Sequence, residues 1–316
     1  MNEKNIERRE FIKKSAKIAG ALGLTWGAGL FFHNRQYADK ERIEDIKPAQ
    51  KLTGVAASII AVAVGEDPYA LTKQAVEKLG GIGKFISRGD VVAIKPNIGW
   101  DRLPEHAANT NPFVVKALVD LCLETGAKEV RVGDVPCVDS QKSYQRSGIA
   151  KVVIESGGKI IFPEERFLKE VNFKGELIKN WIAFIPLLEA DKIINVPIVK
   201  HHSLTLATIG MKNWFGIVSG PRNQLHQQVH EAIVDIAAFV RPVLTVIDGF
   251  RVLTRNGPQG GSLAFVKQMK TIAASANPVL ADAFGAQLLG LNPSQLRFLQ
   301  LAEKAGLGSF TGTRIN

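Results

Sequence analysis

The apolar, β-branched run at residues 192–199 (KIINVPIV) restricts the fold more than any other stretch, because a continuous run of this kind forms a strand buried on both faces. Such a strand needs helices above and below it. The flanking sequence supplies them in alternation. Residues 59–64 (IIAVAV) predict a strand, and 69–79 a helix stopped by Gly80-Gly81. Residues 91–94 predict the next strand, running into Lys95-Pro96-Asn97, where proline bars an interior ladder. A helix from Thr110-Asn111-Pro112 to 125 follows, then a strand over 129–132 ending at Gly133-Asp134. A helix over 141–156, a strand over 159–162 and a small hairpin over 167–180 precede the central run. After it come a helix over 224–240, strands over 244–247 and 271–274, and helices over 278–289 and 293–305. This order predicts an α/β fold: a largely parallel sheet covered by helices on both faces, with a small β excursion, in a single domain over 55–316.

In open parallel sheets the ligand crevice lies beyond the carboxyl ends of the strands. Four successive expected strand ends carry polar or ionisable groups: Lys95-Pro96-Asn97, Gly133-Asp134, Lys200-His201-His202 and Asp248-Gly249. A lone lysine is ordinarily a solvated side chain, and Asp134 and Asp248 each read alone as caps of the following turn. Their recurrence at one sheet edge predicts a single site. Its ligand-binding candidates are Lys95, Asn97, Asp134, Lys200, Lys212, Asn213, Arg222, Asp248 and Gly260.

Histidine supplies the candidate proton-transfer groups, since imidazole titrates near neutral pH. His201 and His202 follow a strand end and point opposite ways, so one of them enters the site. His226 is the third catalytic candidate. His226 and His230 stand at i and i+4 on the expected helix and are candidate metal ligands, although HQQVHE lacks the glutamate of a zinc-protease motif. Residues 216–222 (GIVSGPR) and 257–261 (GPQGG) offer backbone N–H groups to an oxyanion, with tight turns as the alternative, and neither matches a P-loop or a dinucleotide fingerprint.

Formal net charge is +10, of which residues 1–38 contribute +4 through seven Lys/Arg and three Asp/Glu, leaving +6 for the body. That balance suits a small anionic ligand. Without a basic run interleaved with aromatics, a nucleic-acid partner is not expected. Cys122 falls in an apolar helical pattern and Cys137 after a strand end; as the only two thiols, without C-x-x-C spacing, they build neither an iron–sulfur cluster nor a cysteine zinc site from this chain alone. A metal or an organic cofactor both stay open.

Residues 8–14 (RREFIKK) and the fifteen-residue Gly/Ala-rich apolar segment 18–32 resemble a twin-arginine translocation signal, an expected leader over 1–38 joined by a linker over 39–54. The apolar segment is shorter than the roughly 20 residues that span a bilayer as a helix. Only Ala38 stands at a plausible cleavage position, so removal and retention as an anchor both stay open. The twin-arginine export machinery is thus an expected partner, with a location in the periplasm or at the outer face of the cytoplasmic membrane.

Eight motifs occur in order: VVAIKPN at 91–97, TNP at 110–112, VGD at 132–134, DKIINVPIVKHH at 191–202, MKNWFG at 211–216, RNQLH at 222–226, VIDG at 246–249 and NGPQGG at 256–261. Through them the chain resembles the domain-of-unknown-function 362 family over about residues 55–310. Many members of that family append a ferredoxin-like domain or are linked with iron–sulfur proteins, which implies an iron–sulfur electron-transfer partner for a chain that lacks cluster ligands. Where relatives often show Asp-Pro before an alanine-rich helix, this chain has Asn277-Pro278, with Asp282 following. The expected function is an exported enzyme holding a small anionic ligand or cofactor in a Lys/His/Asn-lined crevice, redox or isomerase-like rather than hydrolytic. The alternative is a non-catalytic binding or accessory protein of an iron–sulfur or membrane redox system.

Overall fold

The computed structural model describes residues 58–316, together with positions 42, 43 and 46. The expected leader over 1–38 and most of the linker over 39–54 lie outside the described residues. Arg42–Asn316 form one unit. Its strands are β1 (Arg42–Ile43), β2 (Ile59–Val64), β3 (Val91–Pro96), β4 (Glu129–Val132), β5 (Lys159–Ile160), β6 (Leu168–Asn172), β7 (Asn180–Phe184), β8 (Lys192–Val196), β9 (Ile198–His202), β10 (Leu206–Thr208), β11 (Leu244–Leu253), β12 (Val266–Ser275) and β13 (Thr313–Ile315). Its helices are α1 (Pro68–Lys78), α2 (Pro112–Glu124), α3 (Ser140–Arg146), α4 (Ile149–Glu155), α5 (Ile185–Leu188), α6 (Gly210–Asn213), α7 (Val229–Val240), α8 (Pro278–Leu288) and α9 (Arg297–Lys304).

The main sheet runs β13-β2-β12-β11-β8-β3-β4-β5, with β9 and β10 attached beside β11. Pairings are parallel except where β12 meets β2 and β11 and where β9 meets β10. The sheet is therefore largely parallel, as its β-branched runs predict. β6 and β7 form the small hairpin, with β1 added in parallel to β6.

Side chains of successive strand residues enter opposite cores. In β3, Val92 and Ile94 pack with α1, α2 and α4, whereas Ala93 packs with the core that holds α7 and α8. In β8, Ile194 and Val196 join the first core and Ile193 the second. Each fully buried side chain of this size contributes about 1.5–3 kcal/mol, which makes a one-residue slip of a central strand prohibitive. Three helices start with one device: Asp67, Asn111 and Asn277 cap α1, α2 and α8 by accepting from backbone N–H groups, with proline at the first helical position.

Several boundaries depart from expectation. β3 continues through Lys95 to Pro96, paired with Asn195 and Val196; proline is tolerated because it is the last residue of the ladder. The central run breaks at Pro197, and Lys200, His201 and His202 belong to β9 rather than to a loop. β11 passes through Asp248-Gly249 to Leu253, so that pair is not a strand end. The helix expected over 141–156 divides at Gly148, whose φ of 75° is left-handed. The helix expected from 224 is a 3-10 segment over Arg222–Gln228, and α7 begins at Val229. Among the described residues, no helix is long and apolar enough to cross a membrane.

Candidate functional site

A cavity of about 380 Å³ opens at the carboxyl ends of β3 and β4. Its wall includes Lys95 and Asn97 from the end of β3, Asp134 after β4, Lys200 and His202 from β9, Thr208 from β10, Lys212 and Asn213 from α6, and Arg222 and His226 from the 3-10 segment. Four cationic side chains thus face one carboxylate. That carboxylate is already engaged: Asp134 Oδ1 lies 2.6 Å from Lys95 Nζ, while its two oxygens accept from the Ile98 and Val135 N–H groups at 2.6 and 3.0 Å.

The floor is a connected polar network. Lys200 Nζ donates to Asn97 Oδ1 (3.0 Å) and to the Ala108 carbonyl (2.5 Å). Asn97 Nδ2 donates to Asn213 Oδ1 (3.0 Å), which also accepts from Lys95 Nζ (3.1 Å). Asn213 Nδ2 in turn donates to Asn195 Oδ1 (2.9 Å) and the Lys95 carbonyl (3.2 Å). These contacts fix the asparagine orientations and hold two lysines in place. The Arg222 guanidinium donates to the Val135, Phe215 and Pro136 carbonyls, tying the 3-10 segment to the loop after β4.

Two polar groups in this wall have no protein partner among the described residues. Thr208 Oγ1 is buried without a hydrogen bond. Lys212 is 6% exposed, and its Nζ meets neither an acceptor nor a carboxylate; it lies over the Phe215 ring, 4.3 Å from the centroid. The Nζ itself opens onto the cavity, and an ammonium in so narrow a space gains from an acceptor placed beside it. Desolvation, the largest cause in each case, pulls Lys200 down to about 7 and Lys212 to about 8, and holds Lys95 below the usual lysine range although Asp134 opposes it.

The two cavity histidines have opposite tautomers. His202 Nδ1 accepts from the Leu204 and Thr205 N–H groups at 3.1 and 3.4 Å, so the proton of the neutral ring sits on Nε2. Burial, reinforced by Lys212 and Lys200, pushes His202 down to about 3 and keeps it neutral. His202 is therefore a hydrogen-bond donor, not the general base its residue type suggests. His226 Nδ1 stands 3.2 Å from the Arg222 carbonyl, which can only accept, so the neutral ring leaves Nε2 with a free lone pair. Burial, then Lys212, lowers its pKa as well. Of the two, His226 is the one able to accept a proton.

Four expected residues stand elsewhere. His201 faces away from the cavity, and its Nδ1 accepts from the Gly257 N–H, because alternate β9 side chains project oppositely. Asp248 is fully buried within β11 and accepts from the Asn111 and Phe250 N–H groups, positioning the start of α2. Gly260 takes φ +70° against the His106 carbonyl, outside the cavity wall. His230 stacks on Phe298 while His226 lines the cavity, so the break between the 3-10 segment and α7 removes the shared face assumed for a metal pair. Among the described residues no group of three or more His, Cys, Asp or Glu is placed to hold a metal ion.

Other contributors were not among the candidate site residues. Asn195 looks like an ordinary strand residue, whereas Thr208 belongs to the polar stretch that follows the central run. Cys137 and Phe215 line the cavity, and a Cβ at Gly216 would strike the Lys95–Asp134 pair. Asp282 acts from α8: its two oxygens accept from the Gly210 and Met211 N–H groups at 2.7 and 3.0 Å, fastening the start of α6. Burial raises its pKa to about 7, against the pull of those two bonds. Asp282→Asn sets an amide N–H against one of these donors, so a loss of about 1–3 kcal/mol is expected in urea unfolding. An unchanged midpoint would show that α6 is held without it.

The family described as "Domain of unknown function (DUF362)" matches residues 92–287, which contain the residues named in the cavity wall. The "Thylakoid-associated protein sll1697" of Synechocystis sp. (strain ATCC 27184 / PCC 6803 / Kazusa) is 28% identical over 247 residues, 73% of either chain. Among solved structures, the lactate racemase apoprotein from Thermoanaerobacterium thermosaccharolyticum is similar at a TM-score of 0.46 and 12% identity. That similarity covers 76% of this chain and 60% of the other, so this chain spans less than two thirds of that structure.

Proposed function

The chain belongs to the DUF362 family, and from that premise we propose that it is an enzyme that binds a small anion in the cationic cavity and moves a proton on it. The observation that carries this is the Lys212 ammonium, which has no acceptor among the described residues and opens onto a cavity whose one carboxylate is already paired. An anionic oxygen beside Lys212 Nζ would supply the missing acceptor, and Thr208 Oγ1 is a second unused group in the same wall. His226 Nε2 accepts the proton, and His202 Nε2–H donates to an oxygen on which negative charge develops. The reaction class is an isomerisation, or the proton half of a redox step whose electrons come from an external iron–sulfur carrier. Export through the twin-arginine machinery to the outer face of the membrane is part of the same proposal.

Proton linkage tests the site. An anion beside Lys200 and Lys212 favours their charged forms, so binding takes up protons where these groups titrate, near 7 and 8. Affinity for oxalate, measured by calorimetry, is expected to fall as pH rises across roughly 6 to 9. The ligand-free protein shows the opposite trend: lysines with depressed folded pKa values bind protons less tightly than in the unfolded chain, so stability rises with pH from those values toward 10.5. Oxalate affinity that stays level or increases over this range would refute an anion site built on these lysines.

A second reading, an accessory protein at a redox membrane, is favoured by the thylakoid association in the printed name of the cyanobacterial relative. Mass spectrometry of small molecules released from folded protein, alongside isolation of stable complexes, separates the two. A stoichiometric ligand supports the enzyme; a stable complex without one supports the accessory role.

A further inference from the structure

The three cavity lysines differ in what already holds them. Lys95 Nζ donates to the Pro96 carbonyl (2.8 Å) and Asn213 Oδ1 (3.1 Å) and is paired with Asp134. Lys200 Nζ donates to Asn97 Oδ1 and the Ala108 carbonyl. Hydrogen bonds of this kind fix the direction of Nζ, so neither Lys95 nor Lys200 is free to turn its nitrogen toward a bound carbonyl. Lys212 Nζ is held by none and opens onto the cavity, while the residue as a whole is nine-tenths buried; the same cavity holds a proton acceptor, His226, and a proton donor, His202. An amine, a base and a donor around one anion-favouring space are the parts that carbonyl condensation requires.

We propose that Lys212 forms an imine with a small 2-oxo acid bound in this cavity. The proposal rests on the cavity being an anion site and names the substrate class it takes. The amine lone pair attacks the carbonyl carbon, forming the C–N bond as the π electrons move onto oxygen. His202 Nε2–H donates a hydrogen bond to that oxygen. One nitrogen proton passes to His226 Nε2 and from the protonated ring to the oxyanion, giving the neutral carbinolamine; the second nitrogen proton takes the same route through His226 to the hydroxyl, which leaves as water while the C=N bond forms. The sum is amine plus ketone giving imine plus water, with no oxidant or reductant consumed. The substrate carboxylate is held by the charge of Lys200 and Arg222. Taking up a proton from solvent, the imine again places a cation beside the Phe215 ring, which lies 4.3 Å from Lys212 Nζ in the free protein. Burial, by lowering Lys212 to about 8, leaves part of the amine neutral near neutrality.

Trapping tests it directly. The full chain is incubated with pyruvate and cyanoborohydride, and the products are read by intact mass and peptide mapping. The expected result is one adduct, with the mass of pyruvate less one oxygen atom, on the peptide containing Lys212. Excess oxalate is expected to suppress it by at least tenfold, and Lys212→Arg to yield none. Oxalate binding is measured on the same preparation. Binding without an adduct overturns the imine and leaves the anion site standing, whereas neither binding nor adduct overturns both. An adduct confined to exposed lysines, or one that oxalate does not suppress, also overturns the imine.

Discussion

Asp134→Ala is expected to destabilise the protein by about 3–5 kcal/mol, because it leaves a fully buried Lys95 ammonium without its carboxylate. The same change removes the carboxylate acceptor of the Ile98 N–H, whereas the Val135 N–H keeps the Gly216 carbonyl at 2.8 Å. Tyr144 clamps the backbone around this residue, its hydroxyl donating to the Asp134 carbonyl and accepting from the Asp134 N–H. Lys95→Met is also destabilising, since it strands the carboxylate. The double variant is expected to cost less than the two single variants summed, because each single change already counts the broken pair. Urea unfolding of the four proteins measures this. A single-variant loss below about 1 kcal/mol would mean that the charges are solvated or the pair is not formed.

The β-branched runs made the sheet legible, because only strands covered on both faces bury such sequences. The starts of three helices were legible too, since Asp67, Asn111 and Asn277 each precede a proline. Lys95 and Asp134 were placed correctly at the sheet edge by the ends of their strands. Other placements depend on contacts that local sequence does not encode. The 3-10 form of 222–228 is tied down by Arg222 reaching two carbonyls on the distant loop after β4 and a third in the neighbouring turn at Phe215, so the helical spacing of His226 and His230 was a false guide. Asp248 looked like a strand end because Gly249 follows it, yet β12 pairs across that point and carries β11 onward. The roles of His202 and His226 rest on which ring nitrogen meets a backbone group. Nor can a sequence reveal that Lys212 lacks a partner, because that depends on where every nearby carboxylate finally lies.

The central claim is that Lys212 completes an anion site. Lys212→Met keeps most of the buried apolar stem and removes the charge together with the unfilled donor. Losing one charge-assisted hydrogen bond of about 1.5–3 kcal/mol is expected to weaken oxalate binding by roughly ten- to a hundredfold. The protein itself should not lose stability, since the ammonium it gives up makes no hydrogen bond or ion pair with the described residues. That pairing of effects separates a binding group from a structural one. His230→Ala, outside the cavity wall, is expected to leave oxalate affinity unchanged. The most direct measurement is the oxalate dissociation constant of the native chain and of Lys212→Met, taken side by side near pH 7. The cavity described here predicts saturable binding by the native chain and at least tenfold weaker binding by the variant; equal affinities, or no binding by either, would contradict it.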